Sequence, residues 1–267
     1  MDLYLIVEPD NGHVDLGAAP RMFEIGEIVP PAMPELKGVM PILYAIEHPE
    51  QQVPVIQAIA SKDLEAGRPP RACALLETQA SAGDLMASLR STIALARASA
   101  GHSVFRFYDP RVFRHLPWVL QPEQLSALFG PVNRWRYLDN NQGWATVERP
   151  LEPVLPFRPT AEQRATLTRL HLIEKALKSI GEAGEATDHR TARQLDLLFE
   201  KGARYNLTDE DLAVFVVQGA LVSPHFDRHP KVIAALQRSA SSSYAEVTTQ
   251  WSDEEWAQIF HDTQSYV

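Results

Sequence analysis

Four prolines at every third position, Pro150, Pro153, Pro156 and Pro159, separate two stretches of this chain that follow different periodicities. A three-residue period is that of the polyproline II helix. Residues 151–159 therefore read either as an extended, stiff connector or as a loop lying against the first lobe. Before the break, short apolar runs of strand length alternate with helical stripes; after it, every stripe is helical. This pattern predicts an α/β N-terminal lobe over residues 1–150, a mixed sheet flanked by helices, followed by an all-α C-terminal lobe over residues 160–267. A chain of 267 residues, 45% of them apolar, can fill two modest cores.

In the first lobe the strand candidates are Leu3–Val7, Val39–Ile46 with Pro41 at a strand start or edge, Ala72–Leu76 and Ser103–Tyr108. Continuous apolar runs suit strands covered on both faces. Ile56, Ile59, Ala60 and Leu64 share one helical face, and Leu85, Leu89, Ile93 and Ala96 another. Strand, helix, strand, helix, strand in succession implies at least some parallel pairing. Val132–Tyr137 and Trp144–Glu148, joined through Asn140, Asn141 and Gly143, read as a closing hairpin. Residues 12–34 are rich in proline and show no clear helix.

In the second lobe Leu167, Leu170, Ile173, Leu177 and Ile180 form one stripe, and Leu195, Leu198 and Phe199 another. Leu212–Val222 is apolar nearly all round and is expected to be a central, buried helix. Thr208 with Asp211, and Ser252 with Glu255, have capping-box spacing, and Trp251 with Trp256 has that of a hydrophobic staple. The last helix is expected to start at Ser252 and to present Trp256, Ile259, Phe260 and Thr263 on one face.

Charge narrows the function classes. The net charge is −9, and it is evenly shared: 13 basic against 17 acidic residues up to position 150, and 12 against 17 after it. No basic footprint for nucleic acid is present in either half. The single cysteine, Cys73, cannot form an internal disulfide and sits in an apolar run, as a buried structural thiol would. The N-terminus lacks the basic start of a signal peptide, and no stretch has the length of a membrane span. A cytoplasmic protein with no membrane partner is expected.

Sharp catalytic motifs are missing from the sequence. There is no nucleophile elbow, phosphate-binding loop, Gly-x-Gly-x-x-Gly or zinc-protease helix. His225 and His229 are four apart, but Pro224 and Pro230 flank them and Asp227 is the sole carboxylate nearby, so no metal is expected. The acidic triplets Asp209–Asp211 and Asp253–Glu255 fall in helix first turns, where negative charge favours the helix dipole. No catalytic residue and no cofactor are expected.

One segment stands apart, Phe105-Arg106-Phe107-Tyr108-Asp109-Pro110-Arg111-Val112. It reads as a strand entering a helix, with Phe105 and Phe107 on one face and Arg106 and Tyr108 on the other. Asp109 suits the N-cap and Pro110 the first helical position. Arg106 and Arg111 then lie within reach of Asp109. This corner is either an internal network or a polar recognition patch at a strand's C-terminal end.

The same segment, followed by Leu125–Phe129, Gly130-Pro131-Val132 and Trp135, and preceded by Tyr4-Leu5-Ile6-Val7-Glu8, resembles a bacterial family of type VI secretion effector chaperones, or adaptors. Ala72–Ala96 fits the same pattern. Asn206–Thr208 through Phe226–Pro230 resembles, more loosely, the helical tail of many members. The resemblance implies a non-enzymatic job with two partners, a cognate effector toxin and the trimeric spike protein onto which it is loaded. Arg106, Tyr108, Asp109, Arg111 and Trp135 are the candidates for a partner-binding or scaffold corner. A small-molecule-binding regulatory module and an enzyme with a cleft between the lobes are the other readings.

Overall fold

The computed structural model describes residues 1–96, 102–140, 143–152, 157–238 and 243–265. The chain divides into two compact units, Met1–Arg164 and Ala165–Val267.

The first unit is organised around β1 (Asp2–Val7), whose residues from Leu3 onward are all buried. β1 is flanked by β3 (Ile42–Ile46) on one side and β4 (Ala72–Thr78) on the other, both antiparallel to it. β2 (Phe23–Glu27) pairs with β3 and forms one edge of the sheet. Beyond β4 come β7 (Val132–Asp139) and β8 (Gly143–Glu148), the predicted hairpin, giving the order β2-β3-β1-β4-β7-β8.

The α/β unit followed by an all-helical region is as the periodicity predicts, but the sheet is antiparallel throughout rather than mixed. The strand–helix–strand pattern does carry a real signal. β3 and β4, linked by α1 (Pro49–Glu65), run in the same direction because each is antiparallel to β1. β1 is inserted between them, so the parallel relation exists without a parallel ladder. Residues 12–34 supply β2 rather than a crossover helix.

Alternation along each strand loads the two faces differently. Leu3, Leu5, Val7, Ile46, Leu75 and Ala72 face α1 and pack with Ile56 and Ala60. Within α1, Ile59 is half-buried and Leu64 lies at the exposed end of the stripe. The other face carries Tyr4, Ile6, Leu76 and Trp135, all buried, together with α2 (Ala82–Thr92) and the short helices α3 (Pro110–Phe113), α4 (Leu116–Val119) and α5 (Pro122–Phe129). Gly130 ends α5 at φ 54°, and a Cβ there would collide with Ser88 Oγ. Glycine meets both the left-handed conformation and the close approach.

The fourth predicted strand is shorter than expected and lies elsewhere. β6 (His102–Val104) pairs with β5 (Ala94–Ala96) in a separate two-stranded ribbon. After Val104 the backbone leaves the extended form: Phe107 N–H donates to the Phe105 carbonyl (2.8 Å), and Asp109 N–H to the Arg106 carbonyl (3.0 Å). The apolar run there reflects burial in an aromatic core, not ladder pairing.

The prolines at 153 and 156 lie outside the described residues. The neighbouring segments pack on the sheet unit: Ser126 Oγ donates to the Glu152 carbonyl (3.1 Å), and Phe157 stacks on Phe105 at 5.7 Å with an interplanar angle of 4°.

The second unit is helical. α6 (Ala161–Glu182) starts within the end of the first unit and buries Leu170, Ile173, Leu177 and Ile180, with Leu167 half-buried. α7 (His189–Ala203) and α8 (Asp209–Leu221) approach closely because Gly202 and Gly219 lie between them. A Cβ on Gly202 would collide with Leu212, and one on Gly219 would sit within 2.7 Å of Leu198. α8 is not buried all round. Phe215, Val216 and Gly219 are buried, the rest of its apolar surface is half-exposed, and Leu221 is 41% exposed. Its capping box is also incomplete. Thr208 Oγ1 accepts from Asp211 N–H (3.3 Å), but the Asp211 carboxylate turns to Ser243 Oγ and Ala245 N–H, fixing α10 (Tyr244–Thr248), which follows α9 (Pro230–Arg238).

α11 (Asp253–Thr263) starts after N-cap Ser252 with a complete capping box, and Trp251 meets Trp256 at 4.9 Å. Its buried face is narrower than predicted: Ile259 and Thr263 are buried, Trp256 is half-buried, and Phe260 is 48% exposed. Asp227, between the two histidines considered for a metal, accepts from Lys201 Nζ (2.9 Å) and Tyr205 OH (2.8 Å), while His229 faces Asp262.

Candidate functional site

The corner that the sequence singles out is assembled where three parts of the first unit meet: the end of β1, the start of β4 and the turn entering α3. Asp109 caps α3. Its Oδ1 accepts from Arg111 N–H (2.9 Å) and Arg111 Nε (3.0 Å), and its Oδ2 from Arg111 Nη2 (2.6 Å). Pro110 at the first helical position needs no N–H partner, so the short helix starts with its donors satisfied. Asp109 is buried, whereas the Arg111 side chain is 44% exposed. This bidentate pair anchors a surface guanidinium to a buried cap.

Arg106 does not join that pair. Its Nη1 lies 3.3 Å from Glu8 Oε2, at the end of β1, almost a hundred residues earlier. Tyr108 OH donates to the same oxygen at 2.9 Å. The turn at Arg106–Asp109 rotates Tyr108 inward, so it is buried rather than sharing an outward face with Arg106. Glu8 is itself buried, and its Oε1 finds no hydrogen-bond donor among the described residues. Burial raises the Glu8 carboxyl above the usual carboxylate range, against the Tyr108 bond and the Arg106 charge. Burial and the Glu8 charge likewise push the Tyr108 phenol up. Cys73 adjoins this cluster, and burial, followed by the Asp109 and Glu8 charges, pushes its thiol well up.

Trp135 belongs to the core beneath the corner. It is fully buried, stacked on Phe113 at 4.7 Å with an 8° tilt, and in contact with Phe107 and Phe129. Of the five candidates, Arg106 and Arg111 present exposed side-chain surface; Tyr108, Asp109 and Trp135 hold the corner from within. Glu8 is the group that residue-level reading leaves out. Only its place after the first strand of the resembled pattern marks it.

A second network stands at the far end of α1. Asp63, 1% exposed, accepts from Arg68 Nη2 (3.0 Å) and from Arg71 Nε (2.9 Å) and Nη2 (2.9 Å). Burial opposes its charge, yet these bonds hold the carboxyl below its ordinary value. Arg71 Nη1 continues to the His13 carbonyl and so ties down the loop before β2. That loop walls a cleft of about 450 Å³, floored by Val7, Val14, Met22, Ile42 and Tyr44, with His13, Asp15, Arg21 and Glu24 as its polar groups. No group of metal-ligating residues stands together among the described residues, and no helix there is long and apolar enough to cross a membrane.

A family model described as "Domain of unknown function (DUF4123)" matches residues 30–127. The matched stretch runs from ahead of β3 into α5 and contains Arg106, Tyr108, Asp109 and Arg111, but neither Glu8 nor Trp135. No curated protein and no solved structure matches the chain.

Proposed function

We propose that this chain is a non-enzymatic carrier that binds a cognate type VI secretion effector in the cytoplasm and helps load it onto the spike protein. The observation that supports this reading is the coincidence of two features. The segment Phe105–Val112, which resembles the adaptor signature in order and spacing, lies within the stretch matched by the family model. In the structure its charged groups form a braced corner. Asp109 and Glu8 are committed to Arg111, Arg106 and Tyr108, and the two arginine side chains are 44% and 49% exposed. A rigid corner bearing cations suits recognition of a partner's acidic or carbonyl-rich surface.

Coexpression with the effector encoded beside it tests the proposal. The two proteins are expected to co-elute, burying at least about 1,000 Å², and the effector's soluble yield and secretion are expected to fall when this chain is absent. An effector equally soluble and equally secreted without it would overturn the reading.

A regulatory module that binds a small molecule is the second reading, and the cleft beside Tyr44 favours it. A metabolite that raises the melting temperature of the wild type but not of Tyr44→Ala would establish that role.

A further inference from the structure

The two edges of the sheet are built differently. β2 carries the devices of a guarded edge: a bulge between Glu24 and Gly26, two carboxylates, and Arg90 Nη2 bonded to the Glu27 carbonyl at 2.9 Å. β8 has no bulge and a single carboxylate, Glu148, at its end. Its ladder with β7 runs through six residues without a shift in register, and no charge lies between Gly143 and Val147.

The direction of each β8 peptide group follows from one bond. Arg149 N–H donates to the Asn133 carbonyl at 2.9 Å. In an antiparallel ladder, hydrogen-bonded and non-bonded pairs alternate. In the register that pairs Arg134 with Glu148, residues 143, 145, 147 and 149 therefore turn their N–H and C=O groups towards β7. Trp144, Thr146 and Glu148 turn theirs outward, and no backbone partner meets them among the described residues.

We propose that β8 is a homodimerisation edge, pairing antiparallel with β8 of a second copy across a twofold axis at Thr146. That register uses every outward group. Thr146 meets its own counterpart and Trp144 meets Glu148 from each side, for about six main-chain bonds. On the side chains, Thr146 opposes Thr146, Trp144 opposes Glu148 and Ala145 opposes Val147, so no like charges face each other. The strand is complementary to itself, as a twofold interface requires.

The net charge of −9 works against association, but it is balanced at this edge. Arg134 pairs with Glu148 (2.7 Å) and Glu77 (3.4 Å), and Arg136 with Glu77 (3.3 Å). Gly143, Thr146 and Glu148 are exposed, and no strand covers this edge among the described residues. The proposal concerns the isolated chain and does not depend on the carrier reading.

Light scattering coupled to size exclusion on the full chain tests it, over about 1 μM to about 1 mM, the range in which a small interface dissociates. The mass is expected to rise from 29.9 kDa towards twice that value as concentration increases. Thr146→Pro removes an outward N–H and leaves the β7 ladder whole, which an edge strand tolerates. It is expected to stay monomeric and to melt with the wild type. Thr146→Lys, which sets two cations at the axis, gives the same result without altering the backbone and carries the test if the proline variant misfolds. A wild type that stays monomeric throughout, or a Thr146→Lys variant that dimerises as the wild type does, would overturn the proposal. So would a monomer whose Thr146→Lys variant loses only effector binding, since the edge would then belong to another protein.

Discussion

Glu8 carries a clear electrostatic cost in the first unit, because one of its oxygens is buried with no donor among the described residues while the other serves Tyr108 and Arg106. A carboxyl whose folded pKa is raised keeps its proton longer in the native state than in the unfolded chain. Its contribution to stability is whole below the unfolded value, about 4.3, and is lost as pH rises through the folded one. Glu8→Gln can still accept from Tyr108 but has no charge to bury. The melting temperature of this variant relative to wild type is therefore expected to climb as pH rises above the unfolded value; a difference that stays flat would mean that Glu8 titrates normally. Asp109→Ala removes an N-cap, at about 1 kcal/mol, and leaves Arg111 without its bidentate partner. Arg111→Ala keeps the cap and, being partly exposed, should cost less than about 1 kcal/mol. Thermal melts of the two variants measure the difference. Residue types at short range announced this cap, and Asp109, Pro110 and Arg111 stand as their spacing predicts. Arg106, which spacing places within reach of Asp109, pairs with Glu8 at the end of β1, and spacing along the chain carries no information about such distant contacts.

At the level of elements, legibility followed how local the determinant is. The hairpin of β7 and β8, the long stripe of α6 and the capping box of α11 are set by neighbours within a few residues, and the sequence displays them. Strand order is not local. The insertion of β1 between β3 and β4 turns an expected parallel pair into two antiparallel ones, and nothing in the periodicity of α1 reveals it. The run 103–108 misled for a related reason: Phe105 and Phe107 are apolar because they fill the core around Trp135, a demand that a turn meets as well as a strand. Glycines within helices carry a packing signal that apolar periodicity does not register. Gly219 faces Leu198 and Phe226, and Gly202 faces Leu212 and Phe215. Gly219→Ala improves intrinsic helix propensity by about 1 kcal/mol, yet it must push Leu198 aside in a packed interface, which typically costs about 1–3 kcal/mol. Net destabilisation is expected in chemical denaturation; a more stable variant would show that α7 and α8 can separate without penalty.

For the whole molecule, the two units bury separate aromatic centres. In the first, Trp135 stacks on Phe113. In the second, Phe215 meets Phe226 at 4.9 Å and Tyr244 at 6.0 Å, and the Tyr244 hydroxyl, its titration pushed up by burial, donates to Gln218 at 2.7 Å. The periodicity break in the sequence anticipates two differently built regions, while the compact-unit boundary at Arg164 and Ala165 falls inside α6, where no composition change marks it. The C-terminal helices discriminate between a core role and a docking role. Truncation after Ser243 removes Tyr244, Ile259 and Thr263, all buried, along with Trp251 and Trp256. Each large buried side chain contributes roughly 1.5–3 kcal/mol, so the second unit is expected to lose several kcal/mol and to expose Phe215 and Phe226. The first unit keeps its own core, so the near-ultraviolet circular dichroism from Trp135 should persist after the helical signal of the second unit has melted. Should the truncated chain instead unfold in a single cooperative step, the two units share one stability. Should it stay folded and fail only to capture an effector, α11 with its exposed Phe260 is the docking element rather than part of the core.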